Sequence, residues 1–173
     1  ANGEVGTIEP IAELAKLAKG AGALFHTDAI ASVGHTPVDV RELKVDALSL
    51  AANQFYGPTG AAVLYVREGV RILPLLEGGG QEVGARSGTE NLIGIIGMGV
   101  AAEFAKTQMA ERVAQTSRLR DRLKQGITER VEDVRFNGSW TLRLPHNLHL
   151  CVNGVSSESL VLGLDAQGIA VGI

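Results

Sequence analysis

Hydrophobic residues along the chain change spacing several times, and the changes outline alternating helices and strands. After Pro10, apolar residues recur every three or four positions, which predicts a helix that closes at Gly20. A short helical piece is predicted around residues 40–43. Continuous apolar runs predict buried strands at residues 23–27, 47–50 and 61–65. This order favours an α/β fold built from parallel βα units, with helices on the faces of the sheet.

The second half carries one long helical pattern and then a change of character. Apolar positions from Ile93 to Ile127 follow a helical period within groups, but the phase slips between the groups, so we expect a kink or break near residues 107–110. Strands are predicted at 134–136, 147–152 and 169–173, with a helix from Ser156 or Ser157 to Asp165. We therefore expect two domains, residues 1–110 and residues 111–173, the second a linking helix and the start of a smaller α+β domain.

Composition narrows the classes of function. The 173 residues are 45% apolar with a net charge of −3, which argues against nucleic-acid and membrane-surface proteins. The basic residues between Arg118 and Lys124 are interleaved with Asp121, which favours a solvated helix face over a nucleic-acid interface. No apolar run reaches the roughly 18 residues of a membrane span. A single cysteine excludes a disulfide scaffold and favours a cytoplasmic location.

Candidate functional residues lie at the predicted ends of strands. Asp28 follows a buried strand, where open α/β sheets bind ligands, although an aspartate there also commonly caps a turn. His26 lies on the same face of that strand, and a core histidine is the preferred interpretation. Gln54 lies at the apex of a loop with Gly57, Pro58 and Gly60, between two predicted strands.

Other chemical candidates are weaker. Cys151 stands between Leu150 and Val152 in a strand pattern, which predicts a buried, inert thiol rather than a nucleophile. His146 and His149 point to opposite faces of a strand, so a shared metal site is not expected. The glycines at 78–80 match no phosphate-binding fingerprint.

Five motifs, in their order and spacing, resemble those of cysteine desulfurases, class V enzymes of the aminotransferase type that use pyridoxal 5'-phosphate (PLP). They are Asn-Gly-Glu-Val-Gly-Thr-Ile-Glu-Pro at 2–10, Phe-His-Thr-Asp at 25–28, Phe-Tyr-Gly-Pro at 55–58, Gly-Gly-Gly-Gln-Glu at 78–82 and Arg-Ser-Gly-Thr-Glu-Asn at 86–91. Residues 158–162 and 168–171 extend the likeness over nearly the whole chain. The resemblance implies part of an aspartate aminotransferase-like large domain, with a mainly parallel sheet, joined to part of a small α+β C-terminal domain.

The resemblance also implies an activity, a cofactor and partners. PLP bound to a lysine removes sulfur from L-cysteine for iron–sulfur cluster assembly or other sulfur transfer. Asp28 matches the aspartate beside the pyridine nitrogen, where a carboxylate keeps that nitrogen protonated. Thr89 matches a threonine that reaches the cofactor phosphate of the partner subunit in a homodimer. An iron–sulfur scaffold protein is a further implied partner.

The chain departs from the family at the cofactor. The family's loop reads Ser-Gly-His-Lys-Phe-Tyr-Gly-Pro, whereas residues 51–58 read Ala-Ala-Asn-Gln-Phe-Tyr-Gly-Pro. Gln54 thus stands at the Schiff-base lysine and Asn53 at the histidine, and an amide offers no nucleophilic amine. Gly3, Ala31 and Ala51 replace further polar residues of the family's pocket.

These departures lead to an expectation of inactivity. The chain also matches only a portion of the family pattern, without the upstream half or the loop that carries the persulfide cysteine. We expect an inactive desulfurase-like chain that binds PLP, if at all, without a covalent bond. The alternatives are a non-catalytic scaffold or binding partner in iron–sulfur assembly, and a domain fragment with no function of its own.

Overall fold

The computed structural model describes residues 1–173. Its helices are α1 (Ile11–Gly20), α2 (Val40–Leu43), α3 (Leu92–Arg130) and α4 (Ser157–Asp165). Its strands are β1 (His26–Asp28), β2 (Ala47–Ala51), β3 (Ala62–Val66), β4 (Val134–Phe136) and β5 (Leu150–Val152), and 3-10 turns span Ala52–Phe55 and Gln81–Gly84. None of the helices combines the length and apolar character needed to cross a bilayer.

The larger sheet is mixed, in the order β1-β2-β3. β1 and β2 are parallel, with Asp28 opposite Ser49. β3 returns antiparallel to β2, with Ala51 opposite Ala62. The connection between β2 and β3 is too short for a parallel crossover, which takes a dozen or more residues and usually a helix. The expected α/β fold is confirmed, with an antiparallel strand on one side.

Small residues dominate the buried parts of the chain. One cluster joins the first 3-10 turn to α3 and consists of Ala52, Phe55, Ala61, Ala101 and Ala105. A second cluster lies between α1 and the sheet and consists of Ala15, Ala29, Val45 and Leu48. Alanine side chains let backbones approach closely, so these clusters fix geometry more tightly than their apolar area suggests.

A buried carboxylate ties together the start of β1 and the end of β3. Asp46 Oδ2 accepts a hydrogen bond from the Phe25 backbone N–H at 2.8 Å. Its Oδ1 accepts from Arg67 Nε at 2.9 Å and from Arg67 Nη2 at 2.6 Å. The Phe25 N–H and then Arg67 hold the pKa of Asp46 below its ordinary value. The carboxylate therefore stabilises the sheet edge in its ionised form.

Helix α3 corrects one expectation. It runs without a break from Leu92 to Arg130, although a break was predicted near 107–110. No glycine or proline occurs in that stretch, and Thr107 Oγ1 donates to the Glu103 carbonyl at 2.9 Å inside the helix. The slip in phase instead marks a change of neighbours. The proposed domain boundary at 110/111 lies within this continuous helix and stays a prediction.

The last forty residues form a small antiparallel unit. β4 pairs with β5, with Arg135 opposite Cys151, and Ser156 Oγ caps α4 by accepting from the Ser159 N–H. The expected strand at 147–152 is shortened to Leu150–Val152. Residues 169–173 form no strand, so that expectation is wrong.

Candidate functional site

Asp28 lies at the carboxyl end of β1, next to Ser49 of β2. Its side chain is exposed, and its Oδ1 accepts a hydrogen bond from the Ile30 backbone N–H at 2.8 Å. Asp28 therefore caps the following turn, as one interpretation of the sequence held. The cap uses one carboxylate oxygen, so the second oxygen is available for a ligand at the strand end.

His26 shares this face of β1 but is not a core residue. The side chains of His26 and Asp28 are both exposed, and Thr27 between them is buried. His26 Nε2 lies 2.7 Å from Ser49 Oγ on the neighbouring strand. The prediction of a core histidine was wrong because the buried face of β1 is the Thr27 face. His26, Asp28 and Ser49 thus form one polar strip on the open face.

The loop at 51–58 separates a buried floor from an exposed rim. In its 3-10 turn, Ala52 and Phe55 are buried whereas Asn53 and Gln54 are exposed. Tyr56 then takes a left-handed φ of 68° and turns the chain toward β3. The Gln54 carbonyl oxygen accepts a hydrogen bond from His35 Nε2 at 3.2 Å, so the backbone of the turn is anchored while the carboxamide faces outward.

Two glycines set the position of this turn. A Cβ at Gly57 would come within 2.8 Å of Ala52 Cβ and 2.9 Å of the Ala52 carbonyl oxygen. A Cβ at Gly34, whose φ is +81°, would come within 2.8 Å of Phe55 Cβ. Such separations are closer than real Cβ contacts, so only glycine permits this approach. The floor of the turn therefore has little freedom.

Thr89 lies outside this strip. It is exposed in the segment between the second 3-10 turn and α3. Its neighbour Asn91 caps α3, because Asn91 Oδ1 accepts from the Gly94 N–H at 3.1 Å. The structure connects Asp28 and Gln54 through the β1–β2–turn framework, whereas Thr89 enters through a separate loop.

The chemistry of these residues tests whether they suit PLP. Asp28 offers an accessible carboxylate, which is the group that a protonated pyridine nitrogen requires. The exposed rim of the loop offers two carboxamides, those of Asn53 and Gln54, and no amine. A carboxamide nitrogen is not a nucleophile toward an aldehyde. The residues therefore do not fit PLP held by a covalent bond in this loop.

Polar contacts that the sequence did not reveal join distant segments near the same turn. The rings of His35 and His146 lie 4.2 Å apart between centroids, and His35 also bonds the Gln54 carbonyl. Burial and then His35 lower the pKa of His146. No local signal links positions so far apart in the sequence. No group of three or more His, Cys, Asp or Glu side chains is arranged to hold a metal ion.

Cys151 corrects another expectation. The thiol is exposed rather than buried, because β4 and β5 form a two-stranded sheet with an open face. Asn137 Nδ2 lies 3.2 Å from Cys151 Sγ and 2.9 Å from His149 Nδ1. The alternation of Leu150, Cys151 and Val152 was the signal for an exposed middle position, and the apolar identity of the neighbours obscured it.

Comparison with known proteins connects this framework to one family. Residues 1–172 match the family model described as aminotransferase class-V. The chain is 48% identical over 171 residues to "Cysteine desulfurase IscS" of Dictyoglomus turgidum, covering 99% of this chain and 43% of that relative. It is 45% identical over 169 residues to the protein of that name from Methanosarcina thermophila, covering 98% and 42%.

Solved structures that superpose on this chain carry related titles. A structure titled "NIFS-LIKE PROTEIN" superposes with a TM-score of 0.94 at 35% identity, covering 99% of this chain and 47% of that one. The apo structure of a cysteine desulfurase from Thermococcus onnurineus NA1 gives a TM-score of 0.88 at 28% identity, covering 98% and 47%. The chain thus spans less than half the length of the relatives that it matches.

Proposed function

This chain belongs to the aminotransferase class-V family, and from that premise we propose that it is a segment of a cysteine-desulfurase-like protein that lacks covalent attachment of PLP. The observation that carries the proposal is Gln54. It occupies the exposed rim of the loop at 51–58, where the resemblance to desulfurases implies a lysine. Because the floor of the turn is tightly packed, the side chain at position 54 is held at the exposed rim whichever residue occupies it.

The chemistry of the side chain supports inactivity toward L-cysteine. A lysine amine at this position both attaches an aldehyde and exchanges a proton near neutral pH when its pKa is lowered. The carboxamide of Gln54 does neither, because its nitrogen lone pair is delocalised into the carbonyl. Asn53 beside it has the same limitation. Asp28 remains as the group that would pair with the pyridine nitrogen of non-covalently bound PLP.

The apolar surface of the chain indicates that further protein covers it. Only 17 of the 173 residues are buried, and large apolar side chains at the start of α3 are open to solvent. Ile93 is 86% exposed and Ile96 is 68% exposed. Exposed apolar area on this scale marks surfaces that other protein covers. Because the chain spans less than half the length of its relatives, this exposed area does not by itself indicate a second copy. We propose a homodimer on the resemblance alone, with Thr89 approaching the partner's site.

The experiment that tests the proposal places an amine at the rim. We expect the chain, mixed with PLP and reduced with borohydride, to yield no adduct on the tryptic peptide of residues 45–67. Gln54→Lys should yield an adduct at residue 54. Asn53→Lys is the matched control, because it places the same amine one position away on the same exposed rim. An adduct at equal yield in both variants, or none in Gln54→Lys, would contradict a specific loss at residue 54.

A second candidate is a non-catalytic scaffold for iron–sulfur assembly, which the carboxamides of Asn53 and Gln54 at the rim of the loop favour because they offer no amine for catalysis. The two proposals separate by a binding measurement and an activity measurement. The scaffold function predicts that the chain and Gln54→Lys bind an iron–sulfur scaffold protein equally. The proposed loss of the amine predicts that Gln54→Lys, with PLP and a thiol that accepts and reduces the transferred sulfur, releases sulfide from L-cysteine and that the unaltered chain does not. Measurable sulfide release by the unaltered chain under the same conditions would contradict both.

A further inference from the structure

A cleft of about 320 Å³ lies between the segment after β1, the middle of α3 and the segment 139–145. Its lining includes His35, Ser117, Arg120, Trp140 and Arg143. Arginine and histidine supply every ionisable group of the lining, and no aspartate or glutamate contributes. This concentration of positive charge occurs in a chain whose net charge is −3, so composition does not explain it.

Arg143 brings a charge into this cleft without a carboxylate partner. It is 7% exposed. Its Nε donates to the Ser139 carbonyl at 2.8 Å, its Nη1 to Asn147 Oδ1 at 3.0 Å, and its Nη2 to the Asn137 carbonyl. These oxygens are neutral, and buried charges in proteins are normally paired. The guanidinium is held in place without a carboxylate partner, and Arg143 Cζ lies 5.2 Å from the centroid of the Trp140 ring.

Arg120 adds a second guanidinium to the same cleft. Burial and then Arg120 lower the pKa of Arg143. Arg120 Nη1 donates to the Leu144 carbonyl at 3.3 Å, and Arg120 Nε and Nη2 each lie 2.8 Å from Oδ1 of Asp121. Asp121 is largely solvent-exposed, so this ion pair is weak. A guanidinium has five N–H donors, and those of Arg120 are only partly used.

The remaining groups around the cleft suit a small polar ligand. Ser117 offers a hydroxyl, and Trp140 offers an indole N–H. Lys124 Nζ lies 3.6 Å from the centroid of the Trp140 ring and adds a third positive charge nearby. The volume lies at the lower end of small-molecule sites, which span roughly 300–1,000 Å³. These features favour a compact ligand over a chain segment.

We propose that this cleft binds a small anion that carries a carboxylate or phosphate group, held between Arg120 and the edge of Trp140. The bound anion would offset the repulsion between the two guanidinium groups. Arginine is well suited to this role, because its planar N–H donors match both carboxylate and phosphate oxygens. Arg143 contributes its charge and positions the wall, and Arg120 supplies the direct contact.

Trp140 is the only tryptophan of the chain, so its fluorescence reports on this cleft. The full chain is titrated with inorganic phosphate, with succinate and, at matched ionic strength, with sodium chloride. We expect a saturable change in Trp140 emission with phosphate, with succinate or with both, and no saturable change with chloride. Saturation by one of the two anions alone identifies the source of the negative group. Absence of saturation with both would overturn the proposal.

Variants then locate the binding. Arg120→Gln is expected to weaken binding roughly tenfold, the loss expected for one charge-assisted hydrogen bond. Arg118→Gln removes the same charge from an exposed position of the same helix and is expected to leave affinity unchanged. Ser117→Ala removes only a hydroxyl donor and should weaken binding about threefold, which keeps the test decisive if Arg120→Gln loses the fold. Equal losses in Arg118→Gln and Arg120→Gln would show nonspecific attraction and overturn the site.

Discussion

The turn at 52–58 and the segment at 137–147 both hold irregular backbone in a fixed shape, but by opposite means. The turn rests on apolar contacts between very small residues, with Ala52 and Phe55 buried against α3. The segment at 137–147 wraps around a charged side chain, Arg143, whose donors satisfy carbonyls and an amide of that same segment. One shape is maintained by close packing and the other by a polar network.

The difference determines which side chains can be substituted in each region without disturbing the backbone. In the turn, the side chains that fix the backbone point inward and the side chain at the rim, Gln54, points outward. The residue implied to carry chemistry can therefore change without disturbing the framework. In the segment at 137–147, one guanidinium supplies both the shape and the charge of the cleft. The loss of Arg143 removes both at once.

The largest expected effect comes from Arg143→Met. The variant keeps an unbranched apolar stem but leaves the half-buried carbonyl oxygens of residues 137 and 139 without these donors. Leaving buried acceptors unsatisfied costs about 1–3 kcal/mol each, so we expect a loss of about 3 kcal/mol in the free energy of unfolding. Urea denaturation followed by circular dichroism measures it.

Arg118→Met is the control, because Arg118 is exposed on α3. It should change stability by no more than about 0.5 kcal/mol. If Arg143→Met proves as mild as this control, the polar network does not determine the shape of the segment.

The next effect tests the close packing of the turn. Gly57→Ala places a methyl group 2.8 Å from Ala52 Cβ and 2.9 Å from a backbone oxygen, so the turn has to shift. We expect a loss of about 1–3 kcal/mol, typical of overpacking. Gly99→Ala is the matched control, because a Cβ there meets nothing within 4 Å in the interior of α3. The control should gain stability by up to about 1 kcal/mol through helix propensity. A stable Gly57→Ala variant would refute the tight floor.

A smaller effect connects the two regions through pH. His146 lies in the segment at 137–147, and its ring is tilted against the ring of His35, which bonds the turn at the Gln54 carbonyl. The pKa of His146 is lowered in the folded state, whereas an unfolded histidine titrates near about 6.5. At pH values between the folded and the unfolded pKa of His146, the unfolded state binds more protons than the folded state. The free energy of unfolding should therefore fall as the pH drops below about 6.5.

The measurement is the free energy of unfolding at a series of pH values between neutral and mildly acidic. His146→Asn should flatten the curve in this pH window. His149→Asn is the control for the loss of an imidazole, because His149 lies directly before β5. The charged residues Arg120 and Arg143 line the cleft beside His35. An unchanged slope in His146→Asn would remove His146 from the pH dependence.

Local sequence patterns predicted most of the helices and strands and the place of Asp28 in the polar strip on the open face of the sheet. Helix α1, the short α2, the strands β1 to β4 and helix α4 lie at or within a few residues of the predicted positions. Asp28 at a strand end and Gln54 on a loop also followed from spacing alone. These features depend on periodicity, caps and turn residues, which neighbouring positions determine.

Properties that depend on distant contacts were not predicted. The phase slip in α3 suggested a break, whereas the helix is continuous. Its first half packs against the turn at 52–55, and its second half contacts the segment at 137–147. Arg120 was interpreted as part of a solvated face, yet it contacts the Leu144 carbonyl. Cys151 was interpreted as buried because apolar residues flank it, yet its sheet has only two strands. Each error arose where tertiary contacts decide exposure.

The smallest expected effect distinguishes the backbone shape of the turn from the chemistry of the side chain at position 54. Gln54→Lys replaces one exposed polar side chain by another on a turn whose anchors are the Gln54 backbone carbonyl and its buried neighbours. We expect the free energy of unfolding to change by no more than about 0.5 kcal/mol, and the melting curve to keep its shape. A loss comparable to that of Gly57→Ala would mean that the rim and the floor are coupled. An unchanged stability, together with a new PLP adduct at residue 54, would mean that the loop kept its framework when it lost its amine.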